Sequence, residues 1–218
     1  LKPETEAIEA HLVASGLCDV RIVAAATLAD VVTAINEPAL RDRVSIVHYA
    51  GHSNGQGIQL QSSGETAQGE TAYMRGLAEV LSTQPHLRLL FINGCASREQ
   101  VLELTQAGIP LVIATNRGID DTVACEFAEC FYRTLGQQRS IADAFQVAAG
   151  MLKSAARDNV RGLYFGEFQA SAPASKSELP WELHGPDADR HWSLQEPYYR
   201  DTGLRWNHEL PKNPFFMN

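Results

Sequence analysis

Between Glu4 and Ser15, apolar Ile8, Leu12 and Val13 recur at helical spacing with Glu4, Glu6 and Glu9 among them. That pattern predicts an amphipathic helix covering a sheet. Asp19 to Ala24 reads as a short strand. Thr27 to Asn36 is helical again, with Leu28, Val31, Val32 and Ile35 on one face, and Val44 to Tyr49 is a β-rich run. Strand, helix and strand in that order mark a βαβ unit. The alternation continues with a helix at Thr71 to Leu81, a strand at Leu87 to Ile92, a helix near Arg98 to Ala107 and a strand at Pro110 to Ala114. Apolar runs of this length suit a buried parallel sheet. Two more helices come next: Asp121 to Leu135, closed by Gly136, and Ile141 to about Ala155, opened by Ser140 with Asp143 three residues on. Gly162 to Phe168 reads as a late strand.

Beyond Ala170 the texture changes to Ser, Ala and Pro, and then to Trp181, Trp192 and Trp206 scattered among Pro and charged residues with no sustained period. This divides the chain into one α/β domain at 1–168 and an extended tail or linker at 169–218 that packs back through its tryptophans. Leu1 stands where an initiator Met would, and no basic or apolar leader comes after it, so the sequence reads as a piece cut from something longer.

Composition narrows the function. With 18 Lys+Arg against 26 Asp+Glu the net charge is -8, and no basic run stands out, which disfavours nucleic acid as a partner. No run of 18 apolar residues is present to span a membrane. Four cysteines (Cys18, Cys95, Cys125, Cys130), irregularly spaced and without a C-x-x-C pair, suit neither a disulfide scaffold nor structural zinc, so a reducing, cytoplasmic setting is expected.

Open parallel α/β sheets gather their chemistry at the carboxyl ends of the strands, where loops converge and helix N-termini offer N–H groups. Two segments stand out there. Tyr49-Ala50-Gly51-His52-Ser53-Asn54-Gly55-Gln56-Gly57 leaves the strand at 44–49 and sets one His among small residues, free to take and give a proton. Ile92-Asn93-Gly94-Cys95-Ala96-Ser97 leaves the strand at 87–92 just before a helix, whose dipole favours a thiolate at Cys95. If the two strands are neighbours, His52 and Cys95 meet across a small cleft in the arrangement of nucleophilic acyl transfer.

These segments, Val47-His48-Tyr49-Ala50-Gly51-His52 and Leu90-Phe91-Ile92-Asn93-Gly94-Cys95, resemble those of the caspase-like cysteine peptidases, specifically the bacterial CHAT-type branch, related to separases, gingipains and metacaspases. The resemblance runs in order through Val112-Ile113-Ala114-Thr115, Ile119-Asp120-Asp121, Phe127, Phe131-Tyr132, Ser140-Ile141 and Ala144, over roughly 1–168. It implies a three-layer fold, a mostly parallel sheet with helices on both faces, whose usual first strand would lie ahead of this chain. It assigns His52 as the acid/base, leaving His48 inside the strand, and Cys95 as the nucleophile. Backbone N–H groups near Gly51, Ser53 and Cys95 would hold the oxyanion, and no metal or organic cofactor is required. Caspases carry Gly where this chain has Ser53, so the Ser53 contact is the less secure one. Asp120 and Asp121 offer an acidic pocket for a basic P1 side chain, as in separases and gingipains.

The resemblance further implies a regulated endopeptidase acting on protein or peptide substrates. Such a domain is one module of a larger bacterial protein, joined to TPR repeats or a STAND NTPase and used in antiviral defence or programmed cell death. The closing Leu210-Pro211-Lys212-Asn213-Pro214-Phe215-Phe216 is similar to the lead-in of such an NTPase. Plainer readings stand beside these. His48 alternates with Val47 and Tyr49 as a packed strand residue, Cys18, Cys125 and Cys130 suit core or helix-face positions, and Asp120 and Asp121 sit where a helix start needs a cap. The same fold can serve as a non-catalytic interaction module. A metal-dependent hydrolase would need clustered ligands, and His184, His191 and His208 lack that spacing.

Overall fold

Helix starts are written in local chemistry. The Thr27 hydroxyl accepts the Asp30 N–H at 3.1 Å while the Asp30 carboxylate accepts the Thr27 N–H at 2.9 Å, a reciprocal cap that opens a helix at Leu28–Asn36. Ser140 accepts the Asp143 N–H at 3.1 Å ahead of the helix at Ile141–Ser154. The computed structural model describes residues 2–54, 56–62, 69–95, 98–154 and 179–194. In chain order its elements are α1 Lys2–Ser15, α2 Leu28–Asn36, β1 Ile46–Ala50, β2 Ser53–Asn54, β3 Gly57–Leu60, β4 Glu70–Tyr73 and α3 Met74–Leu81. Then come β5 Leu89–Cys95, α4 Arg98–Gln106, β6 Leu111–Thr115, α5 Asp121–Gly136, α6 Ile141–Ser154 and β7 Trp181–His184.

The main sheet has the order β1-β5-β6-β7; β1, β5 and β6 are parallel and β7 is antiparallel to β6. Successive side chains of a strand face opposite ways, and the core divides accordingly. Leu89, Phe91, Leu111 and Ile113 pack with α1, α5, α6 and Trp181, while Leu90, Ile92, Val112 and Ala114 pack with α2, α3 and α4. Helices therefore cover both faces, the three-layer arrangement expected of a caspase-like fold. A second, small antiparallel sheet, β2-β3-β4, is built on the segment just after β1.

Four expectations are corrected. Asp19 to Ala24 forms no strand: Ile22 and Val23 are exposed, and β-propensity without a partner strand forms no ladder. The helix expected over Thr71 to Leu81 starts only at Met74, because Glu70–Tyr73 pairs with β3, Ala72 lying opposite Ile58. β5 runs on through Asn93, Gly94 and Cys95, so Cys95 ends a strand rather than lying on a loop. Trp181–His184, a stretch without a readable period, is the antiparallel strand β7, and Trp181 stacks on Phe127 with centroids 4.2 Å apart. Trp192 packs partly buried against the same core, and its carbonyl accepts the Ile141 N–H at 3.0 Å. The strand expected at Gly162 to Phe168, together with Trp206 and His208, lies outside the described residues.

Candidate active site

β1 and β5 are hydrogen-bonded neighbours in parallel, with His48 opposite Phe91 and Ala50 opposite Asn93. His52 lies two residues beyond this last pair on one strand and Cys95 two residues beyond it on the other. The two chains stay close beyond the ladder: the Gly51 N–H donates to the Asn93 carbonyl at 3.4 Å. A Cβ on Gly94 would lie 2.5 Å from the Gly51 carbonyl oxygen and 3.0 Å from Ser53 Oγ. A Cβ on Gly51 would lie 2.5 Å from the Tyr49 hydroxyl. Gly94 is therefore required by the close approach of the Gly51 backbone, while at Gly51 a side chain would displace the end of the Tyr49 ring.

His52 has an exposed side chain and a fixed backbone. Its carbonyl accepts the Gln59 N–H at 2.9 Å and also the Tyr49 hydroxyl, which lies 2.8 Å from the Gln59 carbonyl as well. One phenolic proton is thus shared by two carbonyls. Burial pushes the Tyr49 phenol up to about 12, against the smaller opposing effect of its bond to Gln59. Ser53 opens β2, opposite Ile58.

Cys95 is paired with Thr115 at the end of β6, and the ladder between the strands is irregular on the way there: Phe91 lies opposite Ile113, then Cys95 opposite Thr115. The Thr115 hydroxyl donates to the Gly94 carbonyl at 2.6 Å. α4 begins three residues after Cys95, at Arg98. Asp120 is the N-cap of α5, accepting the Thr122 N–H at 2.9 Å, and Asp121 is that helix's first residue, exposed. The loop from β6 brings both to the same carboxyl edge as His52 and Cys95. Cys18, Cys125 and Cys130 are free thiols packed on or near helices, and burial raises the Cys18 and Cys125 thiols.

His48 is a strand residue with both ring nitrogens engaged, Nδ1 3.0 Å from the Tyr132 hydroxyl and Nε2 3.0 Å from Glu4 Oε1. Glu4, only 3% exposed, also accepts Asn93 Nδ2–H at 2.6 Å. Asn93 Nδ2 donates again to the Ala124 carbonyl at 3.1 Å, and its Oδ1 accepts the Trp181 indole N–H at 3.2 Å. Sequence reasoning passed over Glu4, Tyr49, Asn93, Thr115, Tyr132 and Trp181. One signal was available: His48 is a polar residue inside an otherwise apolar strand run, where it needs a partner.

Among the described residues no cluster of His, Cys, Asp and Glu could hold a metal ion, and no helix is long and apolar enough to cross a membrane. With the two strand ends side by side, comparison with known families decides what they belong to: residues 2–199 match the model of the CHAT domain. The chain belongs to the CHAT domain family. CHAT domains are a family of caspase-like peptidases, so the α/β fold and the family agree. No curated protein matches the chain.

Proposed function

We propose that this CHAT domain is a cysteine endopeptidase working through a Cys95–His52 dyad. The observation that supports the reading is the parallel pairing of β1 and β5, whose last pair, Ala50 and Asn93, stands two residues before His52 on one strand and two before Cys95 on the other. The Cys95 thiolate attacks a peptide carbonyl, and the tetrahedral intermediate collapses as His52 protonates the leaving amine. His52 then takes a proton from water, the hydroxide attacks the thioester, and the acid product leaves with the thiol regenerated. Backbone N–H groups near Gly51, Ser53 and Cys95 stabilise the oxyanion, a contact worth about 3–4 kcal/mol in comparable sites. Of these, the Gly51 N–H already has the Asn93 carbonyl at 3.4 Å.

Asp120 and Asp121 supply negative charge at the same edge and favour a basic P1 residue; capping α5 uses one Asp120 oxygen and leaves its charge in place. In this reading the domain is the effector module of a larger bacterial protein of defence or programmed cell death. It acts there together with a regulatory module such as a STAND NTPase or TPR repeats, in the cytoplasm.

The test is digestion of a diverse peptide library by the wild type, Cys95→Ala and His52→Ala, with a cysteine-directed probe run in parallel. Cleavage and labelling by the wild type, both lost in Cys95→Ala, is the expected result. Equal labelling of wild type and Cys95→Ala, without cleavage by either, would sink the peptidase reading and leave a protein-interaction module.

A further inference from the structure

Between Phe91 and Cys95, β5 takes four steps while β6 takes two, from Ile113 to Thr115. Extra residues on one strand make a bulge, which bends that strand and re-aims the residues beyond the bend. The residue beyond the bend in β5 is Cys95. A bulge also removes backbone groups from the ladder, so something else must hold it. The Thr115 hydroxyl takes up the Gly94 carbonyl at 2.6 Å. Asn93, within the bulge and 5% exposed, is held by Glu4 of α1, Ala124 of α5 and Trp181 of β7.

Those three partners also fix which way the amide points. Rotating it by half a turn would set its N–H groups against the Trp181 N–H and its oxygen against the Glu4 carboxylate and the Ala124 carbonyl. A buried, satisfied Asn can serve stability alone. Asn93 differs because all its anchors converge on the irregular segment that ends in Cys95, and because Thr115, directly opposite Cys95, grips Gly94, the residue that joins Asn93 to Cys95.

We infer that Asn93 and Thr115 are positioning residues that hold the β5 bulge and thereby fix the backbone that carries Cys95. The inference rests on Cys95 being the nucleophile of the proposed peptidase. Thr115→Val removes the hydroxyl at nearly constant volume and Thr115→Ser keeps it. In the full chain, Thr115→Val lowers kcat about 10- to 100-fold with KM nearly unchanged, the signature of lost alignment rather than lost binding. Thr115→Ser stays close to wild type. The rate of Cys95 alkylation by iodoacetamide, located by peptide mapping well below the unfolding temperature, falls in Thr115→Val and recovers in Thr115→Ser. Asn93→Ala behaves as Thr115→Val does; if it fails to fold, the Thr115 pair carries the test. A wild-type alkylation rate at Cys95 in folded Thr115→Val, or an equal fall in both Thr115 variants, overturns the inference. If the wild type cleaves no peptide while the two Thr115 variants still differ in alkylation, the peptidase reading fails and the positioning role stands.

Discussion

Tyr49 gives its single phenolic proton to two carbonyls, one of them that of His52, so the residue three places before the candidate acid/base fixes that residue's backbone. Tyr49→Phe keeps the ring and removes the clamp. It should cost about 1 kcal/mol in urea unfolding, and it should lower kcat more than it changes KM. Because the folded phenol is pushed above its unfolded value, the stability it contributes is fully present below the unfolded pKa of ~10 and is lost as pH rises toward about 12. A spectrophotometric titration should therefore find Tyr49 and fully buried Tyr132 still protonated above the ordinary tyrosine range of about 10. Gly94 is constrained by backbone rather than by a movable side chain: its missing Cβ would meet the Gly51 carbonyl oxygen. Gly94→Ala should lose about 1–3 kcal/mol and push the two strand ends apart, which thermal unfolding and peptide cleavage measure separately.

At the scale of elements, helices with a clear apolar stripe were legible, because their period and caps are local. α1, α2, α5 and α6 lie within a residue or two of where the pattern sets them, with Thr27 and Ser140 as starts. What escaped was non-local. β4 was merged into α3 since Met74, Leu77, Ala78 and Leu81 make a helical stripe and what stops it short of Thr71 is non-local, the pairing of Glu70–Tyr73 with β3. β7 has no period of its own and exists because β6 offers an edge and Phe127 a ring. Even α1 held a surprise: Glu4 is charged, yet it stands four residues before Ile8 on the apolar face and is buried between His48 and Asn93. A carboxylate so placed leaves two donors unpaired when removed. Glu4→Ala should destabilise by about 3 kcal/mol, and Glu4→Gln, which can still accept a hydrogen bond, by clearly less, as read from paired urea curves.

Across the whole molecule, alternating strands and helices predicted a parallel sheet covered on both faces, and the two buried clusters on opposite sides of β5 and β6 match that layering. The edge at which chemistry should gather was legible for the same reason, since parallel strands place all their carboxyl ends together. The support beneath that edge was not, because it joins residues as distant as Glu4, His48, Asn93, Tyr132 and Trp181. A site braced by both ends of the described chain cannot persist once either end detaches. Urea titrations monitored by tryptophan fluorescence and by peptide cleavage should therefore trace one coincident transition, and cleavage lost well before fluorescence would contradict it. The same bracing has a mechanical side. One carboxylate on α1 grips β1 four residues before His52 and β5 two residues before Cys95, so a pull along that helix loads both strands in the same instant and slackens both on release.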